Sequence, residues 1–283
     1  MWNTAARSLL AQQYKNVLSG EVLSQWPRVP IWVLLGAPGS GKGTYASLLA
    51  PRFGLWHISA GDVVRHTLQW EGHPEHDVMA ELVRAGRLVS DGVMLRLLQE
   101  RLRKPPPNIS AVLLDGFPRT ESQAHFLLDV CHVPLALRVH IQDRHILTKI
   151  AGRRICSSCG RGYNVASVID PENEVFMPPL LPKNLPTGAF GSVCEHGTSD
   201  NVPLRCDCGG SLEVRIDDDV AVATQRLQNF HATAESVDDV FRRRGVLMDY
   251  KVRYGVDDMD DLSARIAAWI DERPGRLAPA STL

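Results

Sequence analysis

The sequence predicts an α/β fold of three layers, with a parallel sheet between helices. Short apolar runs at residues 31–35 and 112–114, and a β-rich run at 135–141, have the length of buried strands. Amphipathic stretches at 46–53, 123–130 and 259–270 alternate with them at helical spacing. Strand and helix taken in turn favour parallel pairing, because each crossover lays a helix on a sheet face. A chain of 283 residues with 44% hydrophobic and 22% charged residues has ordinary globular composition. Its longest apolar run is about five residues, too short to span a bilayer.

Residues 1–30 carry Arg7, Lys15 and Arg28 against one acid, Glu21, with apolar residues at roughly helical spacing. Two readings stand for them: a mitochondrial targeting helix or a helix that packs ahead of the domain. The alternation begins at residue 31 and breaks at 155–216, where helical periodicity fades and prolines cluster at 178, 179 and 182. That stretch reads as an inserted small domain. A helix resumes after residue 217 and runs to about 241; a strand at 247–252 and the helix at 259–270 complete the core. The tail from 272 has Pro, Gly and Ser.

A net charge of −1 provides no bulk positive field for a nucleic acid backbone. Six lysines and 25 arginines make up the 31 basic residues. Codon bias explains such a ratio, and so does phosphate binding, because a guanidinium fork matches phosphate oxygens. Six cysteines are too few for a disulfide scaffold. Five of them fall between Cys156 and Cys208, which favours a local metal site in a reducing compartment.

Gly36-Ala37-Pro38-Gly39-Ser40-Gly41-Lys42-Gly43-Thr44 follows the first strand and opens a helix. This is the setting of a phosphate-binding loop: glycines let backbone N–H groups approach phosphate, and the helix N-terminus adds positive partial charge. Gly39, Ser40, Gly41, Lys42, Gly43 and Thr44 are the candidate triphosphate ligands. Lys42 can reach the outer phosphates, and the Thr44 hydroxyl can meet Mg²⁺ or phosphate. The general motif has Ser or Thr where Gly43 stands.

Further strings carry a resemblance: Ser59-Ala60-Gly61-Asp62-Val63-Val64-Arg65; Asp115-Gly116-Phe117-Pro118-Arg119-Thr120 ahead of Gln123; Gly152-Arg153-Arg154; and Arg215-Ile216-Asp217-Asp218 leading to Arg226. In this order, with the phosphate loop, they resemble the adenylate kinases with a long lid over residues 31–270. The resemblance implies a P-loop kinase fold with a core domain (31–58, 90–151, 219–272), a small helical acceptor-binding segment (59–89) and an inserted lid (152–218), beside the extension 1–30 and the tail 273–283. It implies a monomer that binds only small nucleotides and carries Mg²⁺ with ATP.

Transfer between a triphosphate and a monophosphate gathers many negative charges, and the acceptor phosphate is already a nucleophile. Such chemistry needs positioning, charge neutralisation and water exclusion rather than a general base. By resemblance, Arg65 and Arg119 hold the acceptor phosphate. Arg153 meets the donor phosphates, and Arg215 and Arg226 clamp the transferring group. Asp115, at the end of an apolar strand where open α/β sheets place ligands, holds Mg²⁺. Lys42, Arg119, Arg153, Arg215, Arg226 and Asp115 form the catalytic set that the resemblance implies. Gln123 hydrogen-bonds the acceptor adenine; Ala60, Arg87, Val89 and Gly116 lie beside it, and Tyr163 contacts the donor. Ala60 stands where many AMP-specific members have Thr, which leaves pyrimidine monophosphates open. Lys149 replaces an Arg that stacks on the donor base, which leaves GTP open as donor.

Cys156-Ser157-Ser158-Cys159-Gly160 is a knuckle of the kind that forms half of a structural zinc site. The family pattern for the other half is Cys-x-x-Cys-Gly-Gly-x-Leu. Here Cys206-Asp207-Cys208-Gly209-Gly210 places the first Cys one residue late, and 46 residues separate the halves. Cys156, Cys159 and Cys208 are the leading ligands, with Cys206, Cys194 or His196 as the fourth. A lid held by hydrogen bonds with spare thiols is the other reading. The expected activity is ATP + AMP ⇌ 2 ADP in the mitochondrial matrix, with the cytoplasm as the second compartment. The alternatives are a GTP:AMP or UMP/CMP kinase, or a non-catalytic nucleotide-binding module.

Overall fold

The computed structural model describes Trp26 and residues 29–183, 204–215 and 218–273. The phosphate loop leaves strand β1 (Ile31–Leu35) and enters helix α1 (Lys42–Phe53). Next come β2 (Leu55–Ser59), α2 (Ala60–Thr67), α3 (His76–Arg84), α4 (Asp91–Leu102), β3 (Ala111–Asp115), α5 (Glu121–Val130), β4 (Leu135–His140) and α6 (Asp143–Ala151). Five short strands follow: β5 (Arg153–Cys156), β6 (Gly162–Asn164), β7 (Val168–Asp170), β8 (Val175–Met177) and β9 (Leu212–Glu213). Helix α7 (Val220–Arg244), strand β10 (Leu247–Lys251) and helix α8 (Met259–Asp271) close the described chain.

The main sheet has the order β10-β4-β1-β3-β2, and all four pairings are parallel. Alternation along β1 shows why both faces need cover. Ile31, Val33 and Leu35 enter an apolar cluster with Leu95, Leu98, Phe126, Leu127, Val237 and Phe241, from α4, α5 and α7. Trp32 and Leu34 enter another with Tyr45, Leu49, Ile146, Ile150, Leu262 and Ile266, from α1, α6 and α8. The central strand is therefore apolar at every position, as parallel strands are.

The expected strands and helices are present with small shifts of boundary. Strand β2 is an addition to the expected strands; it is an edge strand, only partly buried, and its Trp-His centre breaks the apolar run. Helix α5 starts two residues before the expected 123, because the Thr120 hydroxyl caps it by accepting from the Gln123 amide at 3.3 Å. Helix α7 is capped by Asp219, which accepts from the Ala221 amide at 2.9 Å. It ends on Arg242, Arg243 and Arg244, whose charge suits the negative end of the helix dipole.

The described residues of the inserted stretch pack in two places. β5, β6 and β9 make a small antiparallel sheet around the cysteines. The β7–β8 hairpin instead packs into the core: Val168, Val175 and Met177 belong to the same cluster as β1's Trp32. The Phe176 amide donates to the Arg253 carbonyl at 2.7 Å, and Asp170 accepts from His145 at 2.9 Å and Arg144 at 2.7 Å. No described helix is long and apolar enough to cross a membrane. Residues 1–25, with the expected targeting or packing helix, lie outside the described residues, as do Cys194 and His196.

Candidate active site

The phosphate loop turns because its glycines adopt backbone angles that other residues resist. Gly39 has φ +85°, and a Cβ there would sit 2.6 Å from Ile150 Cγ1. Gly41, at φ +88°, precedes the first turn of α1. Lys42 begins that helix and folds back, donating to the carbonyls of Gly36 at 2.7 Å and Ala37 at 2.8 Å. Ser40 is buried, and its hydroxyl has no hydrogen-bond partner among the described residues, an arrangement suited to a ligand oxygen.

Positive charge converges on this loop from distant segments. Burial pushes the Lys42 ammonium down to about 8; Asp115 opposes that shift, while Arg119, Arg226 and Arg153 add to it. Those groups come from the end of β3, the following loop, α7 and β5, so the fold gathers them around one lysine. Arg119 is half-buried, its Nε donating to the Gly116 carbonyl at 2.7 Å. Burial holds its pKa below the ordinary arginine value, with Arg65 close enough to contribute. Gly116 has φ +77°, and a Cβ there would meet Arg119 Nη2 at 3.2 Å, so glycine lets the guanidinium lie against the strand end. Arg65 pairs with Asp62, on which Arg215 also acts. Arg153 binds Asp218 with both sides of its guanidinium, Nε at 2.8 Å from Oδ2, and the Asp218 side chain has no exposed area. Arg226 runs alongside the turn at Gly86, its Cγ 3.3 Å from where a Gly86 Cβ would be.

Asp115 is buried at the end of β3, 3.8 Å from the position a Cβ on Gly43 would take. Its carboxylate is a hard oxygen donor beside the loop, of the kind that suits Mg²⁺. His57 Nε2, which the sequence did not single out, is buried 3.8 Å from Asp115 Oδ2. Its position in an inconspicuous edge strand left no local signal.

Several expected ligands are placed otherwise. Tyr163 is 5% exposed, and its hydroxyl lies 3.1 Å from Cys206 Sγ and 3.3 Å from Asp207 Oδ2. The phenol hydroxyl thus joins the cysteine site. Arg87 pairs with Glu81 at 3.0 Å in an exposed position, so its guanidinium is not among the converging charges. Ala60 and Val89 are buried in the apolar cluster under α2. Gln123 is also buried, with both ends of its amide engaged: Oε1 accepts from the Arg119 amide at 2.7 Å, and Nε2 donates to Asp91 at 2.6 Å.

The sulfurs of Cys156, Cys159, Cys206 and Cys208 lie within 4.8 Å of one another, with Cys156–Cys208 and Cys159–Cys206 each at 3.5 Å. A tetrahedral ion with metal–sulfur bonds of about 2.3 Å needs sulfurs about 3.8 Å apart, so the set fits zinc. The late Cys206 reaches the set through a tight turn, its amide donating to the Gly210 carbonyl at 2.8 Å. Hydrogen bonds from the Cys208 amide and then the Tyr163 hydroxyl push the Cys206 thiol down to about 6, toward the thiolate that metals bind. A Cβ on Gly210 would fall 2.7 Å from Cys156 Sγ, so glycine lets the two halves close.

The family model described as adenylate kinase matches residues 34–246. The chain belongs to the adenylate kinase family. "Probable adenylate kinase 6, chloroplastic" of Oryza sativa subsp. japonica is 38% identical over 80% of this chain and 73% of its own length. An "Adenylate kinase" of Solanum tuberosum is 34% identical over 98% of this chain and 90% of its own. A "GTP:AMP phosphotransferase" of Plasmodium falciparum (isolate 3D7) is 28% identical over 81% of this chain and 92% of its own. The protein is therefore an enzyme, a nucleoside monophosphate kinase with nucleotide substrates. Chloroplastic names recur among the plant relatives. They run against the expectation of a mitochondrial matrix or cytoplasmic adenylate kinase, which is withdrawn. The acid-poor N-terminal pattern behind that expectation does not separate one organelle address from another.

Proposed function

We propose that the enzyme transfers the γ-phosphoryl group of ATP to AMP, giving two ADP. The observation that carries this reading is the set of cationic groups from the loop after β3 (Arg119), β5 (Arg153) and α7 (Arg226) that act together on Lys42, with the Asp115 carboxylate opposite them. Lys42 and the loop amides hold the donor phosphates. Arg65 and Arg119 hold the acceptor phosphate, and Arg153, Arg215 and Arg226 face the group in flight. Mg²⁺ bound at Asp115 and Thr44 would neutralise part of the phosphate charge. The acceptor phosphate attacks in line without a general base, so the residues supply positioning and charge. Lys42 keeps its proton as phosphates arrive, because their negative charge offsets the burial that disfavours the ammonium. Arg119→Ala is expected to cut turnover at least a hundredfold, the usual scale for a group that stabilises transition-state charge; near-normal turnover in a folded variant would contradict its role.

A second reading takes GTP as donor. Lys149 is pushed down to about 8 by burial, and its ammonium makes no hydrogen bond or ion pair among the described residues. Lysine donates well to the oxygen edge of guanine and stacks less well than arginine. A coupled assay crossing the four nucleoside triphosphates with the four monophosphates separates the readings. Dominant ATP and AMP turnover supports the first; dominant GTP turnover supports the second.

We further propose a structural zinc on Cys156, Cys159, Cys206 and Cys208, which leaves no open position for substrate. About one zinc per chain is expected by elemental analysis. Zinc-free protein that melts like the untreated enzyme would remove the idea.

A further inference from the structure

We propose that Asp91 is a positioning residue for acceptor-base selection, acting through the orientation of the Gln123 amide. This rests on Gln123 facing the acceptor base. An amide side chain can present its oxygen and nitrogen either way round, and the two faces read opposite patterns of donor and acceptor. Here two groups from different elements decide the matter. The Arg119 backbone N–H points at Gln123 Oε1 at 2.7 Å, and Asp91, in the first turn of α4, accepts from Nε2 at 2.6 Å. Reversing the amide would set N–H against N–H at Arg119 and oxygen against carboxylate at Asp91. Both contacts would turn repulsive, so only one orientation survives.

Asp91 is itself held in place. Its other oxygen accepts from the Ser122 hydroxyl at 3.2 Å and the Thr120 hydroxyl at 3.5 Å. Gln123 is 3% exposed, so water does not compete for the amide. What remains for a ligand is one N–H and one oxygen lone pair in fixed positions. A 6-aminopurine offers an amino donor beside a ring-nitrogen acceptor. A 6-oxopurine offers the reverse, and a freely turning glutamine would serve either. Asp91 therefore makes the site choose an amino base over its oxo counterpart.

AMP and IMP, identical except at that edge, are the probes, with kcat and KM measured for each and ATP as donor. Asp91→Ala and Asp91→Ser, neither of which reaches Nε2, are expected to lower the AMP:IMP ratio of kcat/KM about tenfold. The change should lie in the acceptor KM, with the KM for ATP unmoved. Asp91→Asn keeps a carbonyl toward Nε2 and is expected to retain most of the discrimination. A purely structural role would lower the melting temperature and move both substrates alike. A wild-type ratio in Asp91→Ser, alongside a reduced ratio in Gln123→Ala, would overturn the proposal and leave the acceptor site standing. An unchanged ratio in Gln123→Ala would instead remove the acceptor-site reading itself.

Discussion

Lys42 is expected to cost the nucleotide-free enzyme stability at neutral pH, and the cost is readable from pH. Its ammonium is pushed down to about 8 in the folded chain, chiefly by burial. In the unfolded chain it titrates at the ordinary lysine value, near 10.4. A basic group lowered by folding carries a penalty that is fully present below the folded pKa and is relieved as pH rises toward the unfolded one. The whole shift is worth about 3 kcal/mol, of which about 2 kcal/mol should be recovered between about pH 7 and pH 9.5. Lys42→Met has no such group. The stability of the wild type minus that of the variant should therefore climb by about 2 kcal/mol over that range. Urea unfolding of both proteins, followed by tryptophan fluorescence without nucleotide, measures it; other titrating groups cancel in the difference. The lost hydrogen bonds to Gly36 and Ala37 shift the two curves by a constant and leave the slope alone. Parallel curves would refute the inference that burial disfavours this charge. Bound ATP should flatten the slope, because phosphate supplies the missing counter-charge.

Other outcomes follow from the same geometry. Gly39→Ala must place a Cβ 2.6 Å from Ile150 at φ +85°, whereas Gly160→Ala, at φ +72°, meets nothing within 4 Å. Both should lose stability to backbone strain of about 1–3 kcal/mol, but only Gly39→Ala should also weaken ATP binding by calorimetry. Met177→Ala, at a side chain only 2% exposed in the core cluster, should cost about 2–5 kcal/mol in urea unfolding. A cost near zero would mean that the β7–β8 hairpin does not pack on the core. Asp218→Ala strands Arg153, whose side chain is 20% exposed, and should cost roughly 3 kcal/mol. Adding Arg153→Met should return most of the lost melting temperature, and failure to do so would rule out an unpaired charge as the cause.

The phosphate loop was legible because its constraint is local: a strand, glycines at fixed steps and a helix start all lie within 14 residues, Ile31 to Thr44. The converging arginines were legible only through ordered motifs, since nothing in the spacing of Arg119 and Arg226 says that both act on Lys42. The surroundings of Tyr163 were hidden for the same reason. Its phenol is turned toward Cys206, a residue 43 positions away. The fourth cysteine stood open between Cys206, Cys194 and His196 because the late position breaks the expected spacing. The turn from Cys206 to Gly210 absorbs that break. Strand β2 and its His57 carried no apolar run to announce them.

Sequence alone determined the class of fold, the phosphate loop and the kinds of group that phosphoryl transfer needs. Each follows from periodicity or from contacts between near neighbours along the chain. Tertiary structure decided which side chains meet: Gln123 locked between Arg119 and Asp91, Arg153 on Asp218, four sulfurs in one cluster, and the β7–β8 hairpin in the core. Those outcomes depend on burial and on distances between segments far apart in the chain, which a linear pattern does not encode.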